Sequence, residues 1–287
     1  MAKETSPEAL VGQTIDGGRY LIQRFIGEGG MGRVYAARQE SMKRTVAIKM
    51  LRAHARNRKT IEARFRREAM SISRLTHPNI ITIFDYGMEP DGQLFMVMEY
   101  LTGQSVKDVI DQTGRLPVDR CLRLLKQVAE AVVNAHENGV VHRDLKPENI
   151  ILQRVTSEAE YAKVLDFGIA KIVEWSDIEA SAKFLTPRGL VFGTPTYMSP
   201  EQVMGTEIDP RTDVYALGII MFEMLAGAAP FEYANLIDIM EAHTRQPLPK
   251  ISTVNKKAKV PQDVEALVEA CTRKAPADRI QTMQDVV

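Results

Sequence analysis

The octet His142-Arg143-Asp144-Leu145-Lys146-Pro147-Glu148-Asn149 constrains this chain more than any other stretch. It places a carboxylate (Asp144), an ammonium (Lys146) and a carboxamide (Asn149) within six residues. Apolar pairs stand on either side, Val140-Val141 before it and Ile150-Ile151 after it. Such flanks read as short buried strands, so the octet is expected to be a polar loop held at both ends by a core. A solvated turn would not need that double anchorage.

At 287 residues the chain can form one large domain or two lobes with separate cores. Lys+Arg and Asp+Glu both number 37, and that balance steers the chain to neither nucleic acid nor anionic lipid. The two cysteines, Cys121 and Cys271, are far apart and lack metal-ligand spacing, which suits a reduced, cytoplasmic setting. No apolar run approaches the roughly 20 residues of a spanning helix, and the polar amino terminus has no signal-peptide core.

Residues 1–18 read as a polar leader ending in a turn. Three strands are expected next, Tyr20–Ile26, Arg33–Arg38 and Thr45–Leu51. Between the first two lies Gly27-Glu28-Gly29-Gly30-Met31-Gly32-Arg33-Val34. β-type residues follow the glycines, which favours a hairpin over the strand-to-helix turn of a dinucleotide site. Glycines there serve either a flexible turn or a backbone that closes over phosphates. Lys49 sits in a strongly apolar strand, where a lysine usually snorkels to water.

The helix expected from Thr60 to Leu75 has Ile61, Phe65, Ile72 and Leu75 on its apolar stripe. Glu68 falls on the same stripe. A core-facing carboxylate is costly unless a cation meets it, and Lys49 is the natural partner. Strands over Ile80–Tyr86 and Leu94–Glu99 complete a five-stranded sheet. A long helix, Asp119 to Asn138, with Leu122, Leu125, Val128, Ala129 and Val132 on one face, then delivers the chain to the octet. Gln153 to Ala162 reads as a hairpin loop, and Lys163-Val164-Leu165 as a short strand running into Asp166-Phe167-Gly168. Gln284 to Val287 reads as the middle of an amphipathic helix, so a longer parent protein is expected.

In this order, glycine loop, strand lysine, helix glutamate, octet and Asp-Phe-Gly resemble the eukaryotic-type protein kinases, bacterial branch. The resemblance covers about Arg19 to Val287. It implies an α+β bilobal fold: a sheet-rich lobe over 19–100 and a mostly helical lobe over 101–287, with ATP and Mg²⁺ (or Mn²⁺) between them. On the nucleotide side it implies Ile26, Gly27, Glu28, Gly29, Gly30, Met31, Gly32, Val34, Ala47, Lys49, Met98 and Ile151, with the Glu99 and Leu101 backbone on adenine. The Lys49–Glu68 pair would orient the α- and β-phosphates, Asn149 and Asp166 would hold the metal, and Lys146 would add charge beside the transferred group. Asp144 would accept the proton of the substrate hydroxyl.

Further roles follow from the same resemblance. His142 and Phe167 would stack with Ile72 and Phe84 into an apolar column, and Glu201 would be buried against Arg279. Asp213 would cap the helix running to Leu225 and tie down the octet. Arg143 suggests control by phosphorylation, with Thr186 the first candidate and Ser181 and Ser176 next, while Thr194 would bond Asp144 and Lys146. Lys146 and the Gly193-Thr194 pair indicate serine/threonine substrates on proteins, and a homodimer would serve autophosphorylation in trans. A scaffold without catalysis would have lost Lys49, Asp144 or Asp166. A small-molecule kinase would not need the stretch from Gly193 to Glu201.

Overall fold

The computed structural model describes residues 6–29, 32–51, 58–154, 160–167 and 195–287, with backbone only at 58–62, 64 and 68. These fall into two compact units. The first holds the described residues up to Thr76 and Ile81–Thr102; the second holds His77–Ile80 and the described residues from Gly103 onward.

The first unit is built on a six-stranded sheet in the order β1-β2-β3-β4-β6-β5. Its strands are β1 (Thr14–Ile15), β2 (Tyr20–Gly29), β3 (Gly32–Gln39), β4 (Arg44–Leu51), β5 (Ile83–Met88) and β6 (Leu94–Glu99). The sixth strand, absent from the five expected, is β1, which comes from the segment read as a polar leader. Ile15 is buried there, and the turn Pro7–Leu10 before it is held by the Tyr35 hydroxyl on the Pro7 carbonyl, 2.9 Å.

Period-2 alternation sorts the sheet's side chains onto two faces. Tyr35, Ile48 and Val97 are in register across β3, β4 and β6 and join Tyr20, Ile22, Val46 and Phe95 in the core. Helix α1 (Arg58–Ser73) carries buried Phe65, Ala69 and Ile72, and Phe65 meets Tyr86 of β5 edge-on at 6.0 Å between centroids. The strand expected from Ile80 begins only at Ile83. Ile80 instead makes a parallel bridge to Val164, because the Asn79 carbonyl takes the Val164 N–H at 2.8 Å.

In the second unit, α2 (Val106–Thr113) opens on a capping box between Ser105 and Asp108 and stops at left-handed Gly114. α3 (Val118–Glu137) buries Cys121 and Leu124 along with Leu125, Val128, Ala129 and Val132, whereas Leu122 is only half-buried. β7 (Gln104–Ser105), β8 (Ile150–Arg154) and β9 (Glu160–Val164) form a small antiparallel sheet. Of the octet's two apolar flanks, therefore, only Ile150-Ile151 is a strand. Val140 is buried without strand pairing, its N–H taken by the Ala135 carbonyl at the end of α3.

Beyond residue 194 come α4 (Pro200–Met204), α5 (Arg211–Ala226), α6 (Leu236–Arg245), α7 (Ile251–Val254) and α8 (Gln262–Cys271). Every residue of α5 after Arg211 is buried, mostly apolar with Thr212, Asp213 and Glu223 as the charged or polar exceptions, so this helix forms the centre of the unit. Gly218 lets α8 approach: a Cβ there would lie 2.7 Å from both the Cys271 and Thr272 side chains. The last turn, Gln284–Val286, is a single 3-10 turn where an amphipathic helix was expected.

Candidate active site

Four of the residues expected on the nucleotide side share one face of the first unit's sheet. Val34 pairs with Lys49 and Lys49 with Met96; Ala36 pairs with Ala47 and Ala47 with Met98. Directly paired residues point the same way, so Val34, Ala47, Lys49 and Met98 lie opposite the Tyr35–Ile48–Val97 core. Lys49 is buried at 8% exposure, in place of the snorkelling lysine an apolar strand usually carries. The side chain of Glu68 lies outside the described residues.

Glycine-loop residues Gly27, Glu28 and Gly29 pair with Val34, Arg33 and Gly32, which makes the loop the tip of a hairpin; Gly30 and Met31 lie outside the described residues. Gly32 is required by space, since a Cβ would strike the Met50 carbonyl. Ile26 is exposed beside a bulge in β2. The Glu99 N–H donates to the Thr82 carbonyl at 3.0 Å and its carboxylate takes the Thr82 N–H at 2.8 Å; Leu101 is half-buried just after β6.

In the second unit, the octet is held from beneath by Asp213, which is fully buried in the first turn of α5. Its carboxylate accepts the N–H groups of His142 and Arg143, each at 2.8 Å, and lies 2.7 Å from His136 Nε2. Burial alone would raise its pKa. The hydrogen bonds from the His136 ring and the His142 N–H outweigh that and hold it below the usual range. Asp213 therefore ties down the loop but does not cap α5: Pro210 stands at the cap, and the carboxylate turns to the octet, where it takes the N–H groups of His142 and Arg143. Asp213→Asn turns an NH₂ toward one of them. It is expected to cost about 1–3 kcal/mol, readable as a lowered midpoint in urea unfolding; an unchanged midpoint would remove the tie from the account.

His142 has no exposed surface. Its Nε2 donates to the Leu165 carbonyl at 2.8 Å while Nδ1 faces the Asp144 N–H at 3.3 Å, a pattern only the neutral ring can make. Burial also lowers its pKa. The ring lies 4.5 Å from that of Phe167, centroid to centroid. Phe84, expected in the same column, is instead exposed with the Arg44 guanidinium 3.6 Å over its ring, because it is the extra residue of a bulge between Ile83 and Asp85 of β5.

Above this floor Lys146 Nζ lies 3.1 Å from the Asp144 carboxylate. Burial would lower the pKa of Lys146, but the Asp144 charge outweighs it and keeps the ammonium protonated. Asn149 Nδ2 donates to the Asp144 carbonyl at 2.9 Å, which turns its amide oxygen the other way. The Asn149 carbonyl takes the Leu165 N–H at 2.8 Å, so the octet is bonded to the residue before Asp166. Arg143 (φ 65) and Asp166 (φ 56) adopt left-handed backbone, which stores roughly 1–3 kcal/mol each for such residues. Ile151 is half-buried in β8, between Ser105 and Lys163.

Further on, Arg279 and Glu201 form a two-pronged pair at 2.8 and 3.1 Å, both buried. Sequence reasoning missed two residues here. Glu223, buried on α5, takes hydrogen bonds from the Tyr197 hydroxyl (2.6 Å) and Lys107 (3.0 Å). Gln202 donates to the Arg143 carbonyl at 2.8 Å. The capping-box spacing Ser199-x-x-Gln202 was the available signal for Gln202; nothing local marks Glu223. Ser176, Ser181, Thr186 and Thr194 lie outside the described residues.

A family model described as "Protein kinase domain" matches residues 20–287. The chain is 41% identical over 272 residues to the serine/threonine-protein kinase pkn3 of Myxococcus xanthus, covering 95% of this chain and 49% of that protein. It is 39% identical over 277 residues to the serine/threonine-protein kinase PrkC of Bacillus subtilis, covering 96% and 40%. It thus spans about half or less of the length of these curated relatives. Among solved structures, the Mycobacterium tuberculosis PknI kinase domain is similar at a TM-score of 0.71 and 28% identity, over 96% of this chain and 94% of that one.

Proposed function

This chain belongs to the protein kinase domain family, and on that premise we propose that it transfers the γ-phosphoryl group of ATP to serine and threonine hydroxyls of proteins. The observation that carries the reading is the octet's geometry. Asp144, held 3.1 Å from Lys146 over a loop pinned by Asp213, is the one carboxylate of the octet beside a charged ammonium. Asp144 would accept the hydroxyl proton and aim the oxygen; orientation matters more than basicity in a loose transition state. Lys146, kept protonated by its neighbour, would stabilise charge on the transferred group.

The donor set fits a hard divalent cation. Asn149 and Asp166 offer oxygens, and among the described residues no group of three His, Cys, Asp or Glu could hold a metal. Mg²⁺ takes one or two carboxylates plus phosphate oxygens. Held by Asn149 and Asp166, it would supply neutralisation of phosphate charge. On the nucleotide side, Lys49, paired with Glu68, would hold phosphates while Val34, Ala47 and Met98 line the base.

Autophosphorylation at Thr186, Ser181 or Ser176, read by Arg143, would be the regulatory step, in trans within a homodimer. No described helix is long and apolar enough to cross a membrane. The two free, buried cysteines, Cys121 and Cys271, support a reduced, cytoplasmic setting for this segment. Incubation with γ-labelled ATP, Mg²⁺ and a basic test protein is expected to put label on serine and threonine, and EDTA to abolish it. A sample that binds ATP but transfers no label would make this a binding scaffold instead.

A further inference from the structure

The strained backbone at Arg143 is clamped from two sides. Its N–H donates to Asp213 Oδ1 and its carbonyl accepts from Gln202 Nε2, both at 2.8 Å. Gln202 is buried at 5% exposure. Its Oε1 takes the Ser199 N–H at 3.0 Å and lies 3.3 Å from the Ser199 hydroxyl, and this fixes the amide so that Nε2 faces Arg143. The carbonyl that Nε2 grips belongs to the peptide bond leading into Asp144. A planar peptide transmits its orientation directly to the next Cα.

We propose that Gln202 is a positioning residue for Asp144, setting the plane of the Arg143–Asp144 peptide and linking it to the Ser199–Glu201 corner. In a residue whose φ is held against its own preference, an unclamped carbonyl would let the peptide plane rotate and swing the carboxylate. The rate effect rests on the kinase reading; the clamp itself does not. Asp213 holds only the N–H side of Arg143, so the two anchors are not redundant. Ser199 and Gln202 also cap α4, so removing Gln202 outright would confuse a capping defect with a loss of aim.

The substitution Gln202→Glu separates the two. A carboxylate still accepts from Ser199 N–H and Oγ, which keeps the cap, but presents an oxygen in place of the NH₂ that grips Arg143. Once protonated, the introduced carboxyl can donate to that carbonyl again. At about pH 8 the variant is expected to lose between 10- and 100-fold in kcat with ATP KM within about threefold. The variant-to-wild-type ratio of kcat should rise as the pH is lowered toward about 5.5, since burial beside a carbonyl raises a carboxyl's pKa.

Gln202→Met, which cannot donate at any pH, should show a loss that does not recover. Hydrogen exchange over residues 142–146, measured relative to wild type at each pH, should be faster in Gln202→Glu at pH 8 and return toward wild type in acid. A ratio near one, or one that stays flat with pH alongside unchanged exchange, would overturn the proposal. Were the wild type to transfer no phosphate, the kinase reading would fail and the exchange measurement would decide on the clamp alone.

Discussion

Asp144→Asn is expected to lower the phosphoryl-transfer rate by about 10³-fold, within the range for removing a positioned acid–base group. Nucleotide affinity should change by no more than about threefold. The expectation follows from the contacts Asp144 makes. Its backbone is held by Asn149 Nδ2 on the carbonyl and by the His142 ring facing the N–H, so the substitution leaves the loop in place. Only the carboxylate changes: it loses the charge that faces Lys146 at 3.1 Å and the oxygen that would take the proton. Steady-state kinetics with an equilibrium nucleotide-binding measurement would check this. A variant that retained more than about a tenth of the wild-type rate would show that Asp144 is not the residue that aims the hydroxyl.

Arg279→Met should destabilise the second unit by about 3–5 kcal/mol, because it strands the Glu201 carboxylate without its partner. Arg279 is buried at 3% exposure. Besides Glu201 it donates to the carbonyls of Arg211 (2.6 Å) and Arg273 (3.1 Å), and its guanidinium sits 5.0 Å from the Tyr215 ring centroid. Burial alone would raise the pKa of Glu201, but Arg279's hydrogen bonds and charge and the Thr212 hydroxyl hold it below the usual range.

A group whose folded-state pKa is depressed stabilises the fold above its unfolded value, near 4.3 for glutamate, and loses that contribution as pH falls through the folded value. The gap between wild type and Arg279→Met should therefore be widest near neutral pH and close in acid. Urea unfolding followed by far-ultraviolet circular dichroism at several pH values would read it. A difference below about 1 kcal/mol at pH 7 would mean that the pair is replaceable by packing.

Several of the candidate residues at the site, though not most of their contacts, were legible as residue types at fixed spacings. Lys49 in an apolar strand, Asp144, Lys146 and Asn149 in one octet, and the hairpin at Gly27–Val34 each carry a local signature. Strand alternation alone places Val34, Ala47, Lys49 and Met98 on a common face once the register is known. Phe84 was misplaced because it is the extra residue of a bulge in β5, and only the pairing with β6 reveals a bulge. β1 was missed because two residues are too few for any period, and only their pairing with Leu21 and Tyr20 defines them.

What the sequence by itself determined is the chemical inventory: which side chains carry charge or carboxylate and amide oxygens, and which stretches must be buried. These are properties of a residue and its near neighbours, so spacing exposes them. What only the tertiary structure decided is how the reactive loop is held. The tie from Asp213, about 70 residues from the N–H groups it accepts at 2.8 Å, was expected from the family resemblance and not from any local spacing. Gln202 reaches the Arg143 carbonyl from 59 residues away. Glu223 joins Tyr197 to Lys107, which precedes it by 116 residues. A buried polar group must find a partner wherever the fold brings one, and no local pattern records which one that will be.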